Sequence, residues 1–414
     1  SILGTICTSP GQTYLVSLFH PHLIKATGIN TTQLSTAYMI GTMMSALLLT
    51  GVGKLSDRFG PRLIMGVVAT LLGCVCFGMP WVTGFWTLLL GFFLLRFLGQ
   101  GSLGLLSAHT VAMWFERRLG FVESIRHSAM SLAMATLPFV VAASIRNQGW
   151  QATYMFLGIG VWLLVLPCVL LFFCNKPEDI GQSLDGDEIA RTSSNDEYTE
   201  LNTQTPQSDV MSAQKKDTTL SEAIRTPAYW LLTAVGMSVS TVATAAMFQI
   251  QPLLQEQHLS LKHAPFALSA FATTSLIMTL CTSWIIDKLP AKLMLCCIPL
   301  LVGLGSLMLL SAHTPWYIFL AMGLMGAAGT FSGNVLQPTI ARVFGRTHHG
   351  AIRGSMTTSM VVGTSVGPVV LGLSKDYSGS FSWGLLFFGV ACTFLCFGAI
   401  TLRLPRSTNP QENH

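Results

Sequence analysis

Long apolar runs alternate with short polar ones along the chain, and the runs are too long for the strands and helices of a soluble core. Spanning the hydrocarbon layer of a bilayer takes about 20 predominantly apolar residues in a helix. Twelve runs reach that length, starting near Ser1, Gln33, Leu63, Trp86, Phe121, Gln151, Pro227, Pro265, Leu293, Pro315, Gly354 and Trp383. None breaks into the short alternating segments of a membrane barrel. The pattern therefore predicts an all-α membrane protein of twelve transmembrane helices in two six-helix bundles.

Between the sixth and seventh runs the pattern lapses. Residues 175–226 hold 11 of the 18 acidic residues and are rich in Ser, Thr, Asp and Gln. Such a segment cannot bury enough apolar surface to fold, which predicts a disordered linker. The expected organisation is a bundle over 1–174, the linker over 175–226, a second bundle over 227–404 and a tail over 405–414.

Composition agrees: 51% of residues are hydrophobic and 10% charged, against about 25% charged in soluble domains. Mean hydropathy is +0.56. The net charge of +5 matters less than its placement. Of the 23 Lys and Arg residues, 18 fall in one set of alternate loops and termini, four in the other set, and Arg96 lies inside a span. Cytoplasmic loops carry the Lys/Arg excess, so the N-terminus, linker and C-terminus are expected in the cytoplasm. The ten cysteines sit in apolar runs without metal spacing and read as reduced packing residues. No cleavable signal is visible. The chain starts inside an apolar run without methionine, which predicts that a short N-terminal piece precedes it.

The two halves repeat. Shifting "GKLSDRFGPR" by 230 residues onto "SWIIDKLPAK" lays Asp57 on Asp287, Arg58 on Lys288 and Arg62 on Lys292. A shift of 229 lays "TVAMWF" of the fourth run on "TIARVF" of the tenth, and "FHPH" (Phe19 to His22) on "FQIQ" (Phe248 to Gln251). Parallel repeats about an axis along the membrane normal bring equivalent residues face to face. His20 and His22 are thereby expected opposite Gln249 and Gln251, on the outer wall of a central cavity. Thr5, Ser9, Gln12 and His20 on the first run, and Ser238, Thr241 and Gln249 on the seventh, extend that polar face. The alternative places the histidines among lipid headgroups.

"GKLSDRFGPR", between the second and third runs, resembles the signature loop of the major facilitator superfamily. "RFLGQG" on the fourth run looks like that superfamily's second motif, and "GTSVGPVVLGLSKD" on the eleventh is similar to its Gly-Pro-rich helices. The resemblance implies a secondary transporter working by alternating access. Within the superfamily, "RTPAYW" and "WFERR" look like the branch of monocarboxylate transporters and oxalate:formate exchangers. The eighth run lacks the basic residue of that branch, and so does the core of the eleventh.

Gly53, Asp57, Arg58, Gly60 and Arg62, with Asp287 in the second half, read as a conformational latch: the glycines for a tight turn and close helix approach, the aspartates for contacts that can break. A phosphate loop in "GVGKL" is excluded, because Leu48 replaces the leading glycine and Leu55 follows the lysine. Charges within a bilayer cost several kcal/mol and usually mark pathways. Arg96 either attracts an anion or fixes its helix through backbone carbonyls. Glu123, Arg126 and His127 share a helix face. They form either a proton site or a snorkelling cluster, and Glu123, His127 and His109 are the candidate proton carriers. Glu256 is the other acid near a helix interior. Asn334 and Gln337 fit substrate contact or interhelical packing equally.

The expected function is transport of a small, monocarboxylate-like organic anion coupled to protons. His20, Gln12, Arg96, Gln249, Thr241, Asn334 and Gln337 would hold the substrate, and the chain would work as a monomer. No cofactor, metal or nucleic acid is expected, and no nucleophile motif suggests an enzyme. The rivals are export of neutral or amphipathic compounds, carriage of a larger chelating anion, and a transporter-like receptor or scaffold.

Overall fold

The computed structural model describes residues 1–115, 118–171, 173, 218–286, 290–345 and 349–401. Most of the expected linker, the tail and Asp287 lie outside the described residues, as do the side chains of Asp57 and Gln337. The last residues of the linker differ from expectation. Thr219 and Glu222 cap each other's backbone N–H groups and start a short helix, α10 (Leu220–Ile224).

Among the described residues, eleven helices are long and apolar enough to cross a membrane. The first expected span is instead built in pieces: α1 (Ile2–Ile6), a 3-10 turn (Ser9–Gly11), α2 (Thr13–Val16), a second 3-10 turn (Ser17–Phe19) and α3 (His20–Thr27). Pro10 removes a backbone donor, Gln12 is extended, and Pro21 restarts the helix at its first turn. The rest of the first half comprises α4 (Thr31–Phe59), α5 (Pro61–Gly78), α6 (Phe85–Leu94), α7 (Gly104–Trp114), α8 (Leu119–Gln148) and α9 (Trp150–Leu171). A π-helical stretch, Leu95–Leu103, joins α6 to α7 within one continuous span.

The second half comprises α11 (Pro227–Phe248), α12 (Ile250–Glu256), α13 (Ala264–Ile286), α14 (Ala291–Leu310), α15 (Pro315–Phe344), α16 (His349–Ser378) and α17 (Ser382–Thr401). Its first span is broken too, at Gln249, between α11 and α12. The breaks at His20 and Gln249 fall at equivalent positions of the repeat.

Packing follows the same symmetry. In the first half α4 packs on α6 and α5 on α9; in the second, α13 packs on α15 and α14 on α17. Across the halves the main pairs are α4 with α16 and α8 with α13, which the pseudo-twofold exchanges. Large apolar side chains such as Leu47, Leu280 and Phe394 point outward, as a lipid solvent requires. Trp81, Trp86, Trp316, Tyr377 and Trp383 stand exposed at the ends opposite the basic loops, forming an aromatic belt. That end is called the far side below.

Candidate functional site

At Thr8–Thr13 the backbone leaves helical geometry, and this break lies directly against the π-helical stretch. A Cβ on Gly11 would collide with the Leu95 carbonyl oxygen, and one on Gly99 would stand 3.1 Å from Gly11 Cα. Only glycine lets the two backbones approach so closely. π-Helical turns are uncommon and concentrate at functional sites.

Arg96 lies within that stretch and is 4% exposed. One of its terminal nitrogens donates to Gly11 O at 3.3 Å and to Thr13 Oγ1 at 3.4 Å, both long for charge-assisted bonds. The guanidinium lies 5.0 Å from the centre of the Tyr38 ring. Thr13 Oγ1 and Tyr38 OH are 2.6 Å apart. No acid pairs with Arg96 among the described residues, so its charge is met only by dipoles and a ring face. Gln12, half-buried beside this unit, donates to Thr8 Oγ1 at 3.2 Å.

His20 and Gln249 come together as the repeat predicts, in closed packing and not on a cavity wall: they are 1% and 0% exposed. The imidazole meets the Phe248 ring edge-on at 5.5 Å, and Phe248 also packs on Tyr38 at 4.4 Å. Gln249 Nε2 donates to Ser35 Oγ at 2.9 Å and Pro368 O at 3.3 Å, and Gln251 Nε2 donates to Leu18 O at 3.1 Å. His22 is half-buried.

These contacts belong to a wider seal. Thr32 N donates to Asp376 Oδ2 at 2.8 Å, Ser269 Oγ donates to Ala135 O, and Phe139 meets Phe266 edge-on at 4.9 Å. Every hydrogen bond or ring contact named here between the halves lies toward the far side, which explains why the expected outer cavity wall is shut.

The other candidates spread out. Thr241 Oγ1 donates to Met237 O at 2.7 Å and abuts Gly363, so it serves the α11–α16 crossing. Asn334 is exposed on α15. Glu123 takes a 2.7 Å ion pair from Arg126, whose guanidinium also reaches Thr5 Oγ1 at 3.4 Å. The His127 side chain, 68% exposed, stands 3.6 Å from the same carboxylate. His109 Nε2 lies 2.9 Å from Met113 Sδ. Glu256 accepts from Lys375 Nζ and Ser380 Oγ, each at 2.7 Å, and from the Phe381 N–H. That carboxylate ties down the turn before α17.

In the signature loop, Gly60 has φ +83° and ends α4 so that Pro61 can begin α5. Gly53 faces open space and makes no close helix contact, contrary to the expectation for it. Arg58 is exposed beside Phe59, and Arg62 donates to the Val169 and Leu170 carbonyls at the C-terminus of α9.

Sequence reasoning missed Tyr38, Thr13 and the π-helical stretch. The pair Pro10–Gly11 signals the break; nothing in the sequence pattern marks the π-helix.

The family model of the Major Facilitator Superfamily matches residues 1–303 and 233–414. The chain belongs to that superfamily. It is thus a multi-pass membrane protein of a transporter family. One relative is the MFS-type transporter YhjX of Escherichia coli (strain K12), 22% identical over 70% of this chain and 66% of its own. A probable sulfoacetate transporter, SauU of Cupriavidus necator, is 26% identical over 43% of this chain and 42% of its own. An oxalate:formate antiporter of Oxalobacter formigenes is 23% identical over 57% of this chain and 50% of its own. The chain thus spans between 42% and 66% of the length of these relatives. Among solved structures, a bacterial homolog of the human lysosomal transporter Spinster, inward-facing and occupied, superposes with a TM-score of 0.67. It is 12% identical and covers 96% of this facilitator and 95% of that chain.

Proposed function

We propose that this facilitator carries a small organic anion across the membrane, with Arg96 as the counter-charge. The carrying observation is a guanidinium buried to 4% exposure without an acid partner among the described residues. A low-dielectric site leaves such a cation undercompensated, and an anion stabilises it. Arg126, near the start of α8 on the Lys/Arg-rich side, is neutralised by Glu123 and so leaves Arg96 as the better anion site. The names of two relatives, a sulfoacetate transporter and an oxalate:formate antiporter, fit the same substrate class.

The placement of the seal supports alternating access: halves joined on the far side leave the Lys/Arg-rich side as the route to the centre. By the charge rule that side is cytoplasmic, as are the termini and linker. Gln12, Thr13 and Tyr38 surround the anion in this reading, and Asn334 meets it from the second half. Protons supply the coupling, with the Glu123–His127 cluster as titratable groups near the cytoplasmic side, and the monomer is the working unit.

The test is uptake of labelled sulfoacetate, oxalate, formate and lactate into liposomes holding the purified chain, with and without an imposed proton gradient. Accumulation of at least one anion, faster with acid outside, is the expected result. Uptake of none, together with facilitated movement of a neutral amphipathic probe, overturns the assignment.

A further inference from the structure

The far-side seal contains a group that the proposed anion site does not use. His20 is 1% exposed, and neither ring nitrogen reaches a hydrogen-bond partner. The Gln249 side chain is near enough to interact with the ring, but in the closed geometry no well-formed hydrogen bond joins them, and Oε1 of Gln249 is left without a partner. Buried polar atoms are overwhelmingly paired, so a cluster of orphans at one junction calls for a reason. Here the junction is where the broken first spans of the two halves meet.

We propose that His20 is a proton-operated latch on the far-side gate: the seal closes only around neutral imidazole, and a proton taken from far-side water holds it open. Closing over an imidazolium would bury a charge with no acid to receive it, at a cost of several kcal/mol. The surroundings bear this out on every packed element. On its own segment Lys25 is cationic and exposed, and His22 is half-buried. From α4 comes Tyr38, whose ring also faces Arg96, a second cation. From α9 comes Tyr154, stacked on Phe19, with its hydroxyl buried and unpartnered. From α11 and α12 come Phe248 and Gln249, while Glu256 is engaged by Lys375. The acid of α16, Asp376, accepts from the first turn of α4. No carboxylate is free to compensate His20 in the closed state among the described residues.

The sign follows from linkage. In the open state the ring meets water and titrates near the ordinary histidine value, about 6.5; in the closed state the charged form is excluded. Protons therefore bind the open state alone. Lowering the pH from 7.5 to 5.5 shifts the open:closed ratio toward open by about tenfold. The latch concerns the same carrier cycle and so rests on the transport reading, but it needs no substrate to be seen.

Spin labels on Lys25→Cys and Lys262→Cys, in a background with the native cysteines replaced, report the far-side separation of the halves. Their distance distribution is read at pH 7.5 and 5.5 in substrate-free lipid nanodiscs. The expected result is an increase of about tenfold in the ratio of separated to close populations, lost in His20→Gln and in His20→Phe, the second of which fits the aromatic surroundings. A pH response that persists in both variants, or no response with His20 present, overturns the latch. Arg96→Gln keeps the response if the latch holds, so failure of the anion site and failure of the latch are read separately.

Discussion

Replacing Arg96 by Gln removes a charge that the protein itself barely satisfies. The two protein hydrogen bonds, at 3.3 and 3.4 Å, come from a single nitrogen, which leaves the rest of the fork for a ligand. A hydrogen bond involving a charged group contributes about 1.5–3 kcal/mol. Losing one or two such bonds to a bound carboxylate costs about 2–4 kcal/mol, a drop of about 30- to 1,000-fold in uptake efficiency at about 1.4 kcal/mol per tenfold. Arg96→Lys keeps the charge and loses the planar fork, so it should fall between wild type and Gln. Initial rates in liposomes measure this. Thermal unfolding of the substrate-free protein supplies the second half of the test. Arg96→Gln relieves an uncompensated buried cation and should leave the midpoint unchanged or raised. Arg126→Gln abandons Glu123 and should lower it. Wild-type uptake in Arg96→Gln, or a midpoint that falls as far as in Arg126→Gln, would show that Arg96 merely braces its helix.

Gly11→Ala should cost about 1–3 kcal/mol or more by overpacking against Leu95, read as loss of the monodisperse peak in detergent; a well-behaved variant would contradict the close approach. Asp376→Asn keeps an acceptor for the Thr32 N–H but removes its charge. It should weaken the seal by about 1 kcal/mol, or about fivefold toward the far-side-open state by spin-label distances. Glu256→Gln should lower the unfolding midpoint, and the drop should shrink when Lys375→Met is already present, because the 2.7 Å pair is already gone. Additive midpoints would mean that the pair contributes nothing.

Apolar run length made the membrane fold legible, because a bilayer forces every backbone group into a helix. The internal repeat went further, since it paired His20 with Gln249 across the molecule from a four-residue match. Burial was not legible. Whether two polar residues that face each other line water or close a seal depends on how the halves are tilted, and the hydrophobic pattern of each helix is the same in both arrangements. The first span shows a second limit. Its mean apolarity reads as one helix, while Pro10, Gly11 and Pro21 divide it, and the freed backbone carbonyl of Gly11 then becomes a partner for Arg96. The π-helical stretch was invisible because the spacing of its apolar residues does not set it apart from the α-helical turns on either side of it.

The chemistry of the seal explains why the halves can part while each bundle stays whole. Within a half, helices bury apolar side chains against each other: Leu72 on α5 and Val165 on α9, from a closely packed pair, are both nearly fully buried. Between the halves the named contacts include bonds from Gln249 to Ser35, Gln251 to Leu18 and Thr32 to Asp376. A typical intramolecular hydrogen bond contributes about 1 kcal/mol net, because water or another partner replaces it when it breaks. Three of them amount to about 3 kcal/mol, the scale on which two states of one protein exchange. A seal of Leu and Phe alone, without these polar bonds, would resist wetting and hold the carrier shut. A polar seal with an orphaned imidazole and an orphaned amide oxygen is poised closer to balance, and it opens onto water that satisfies both.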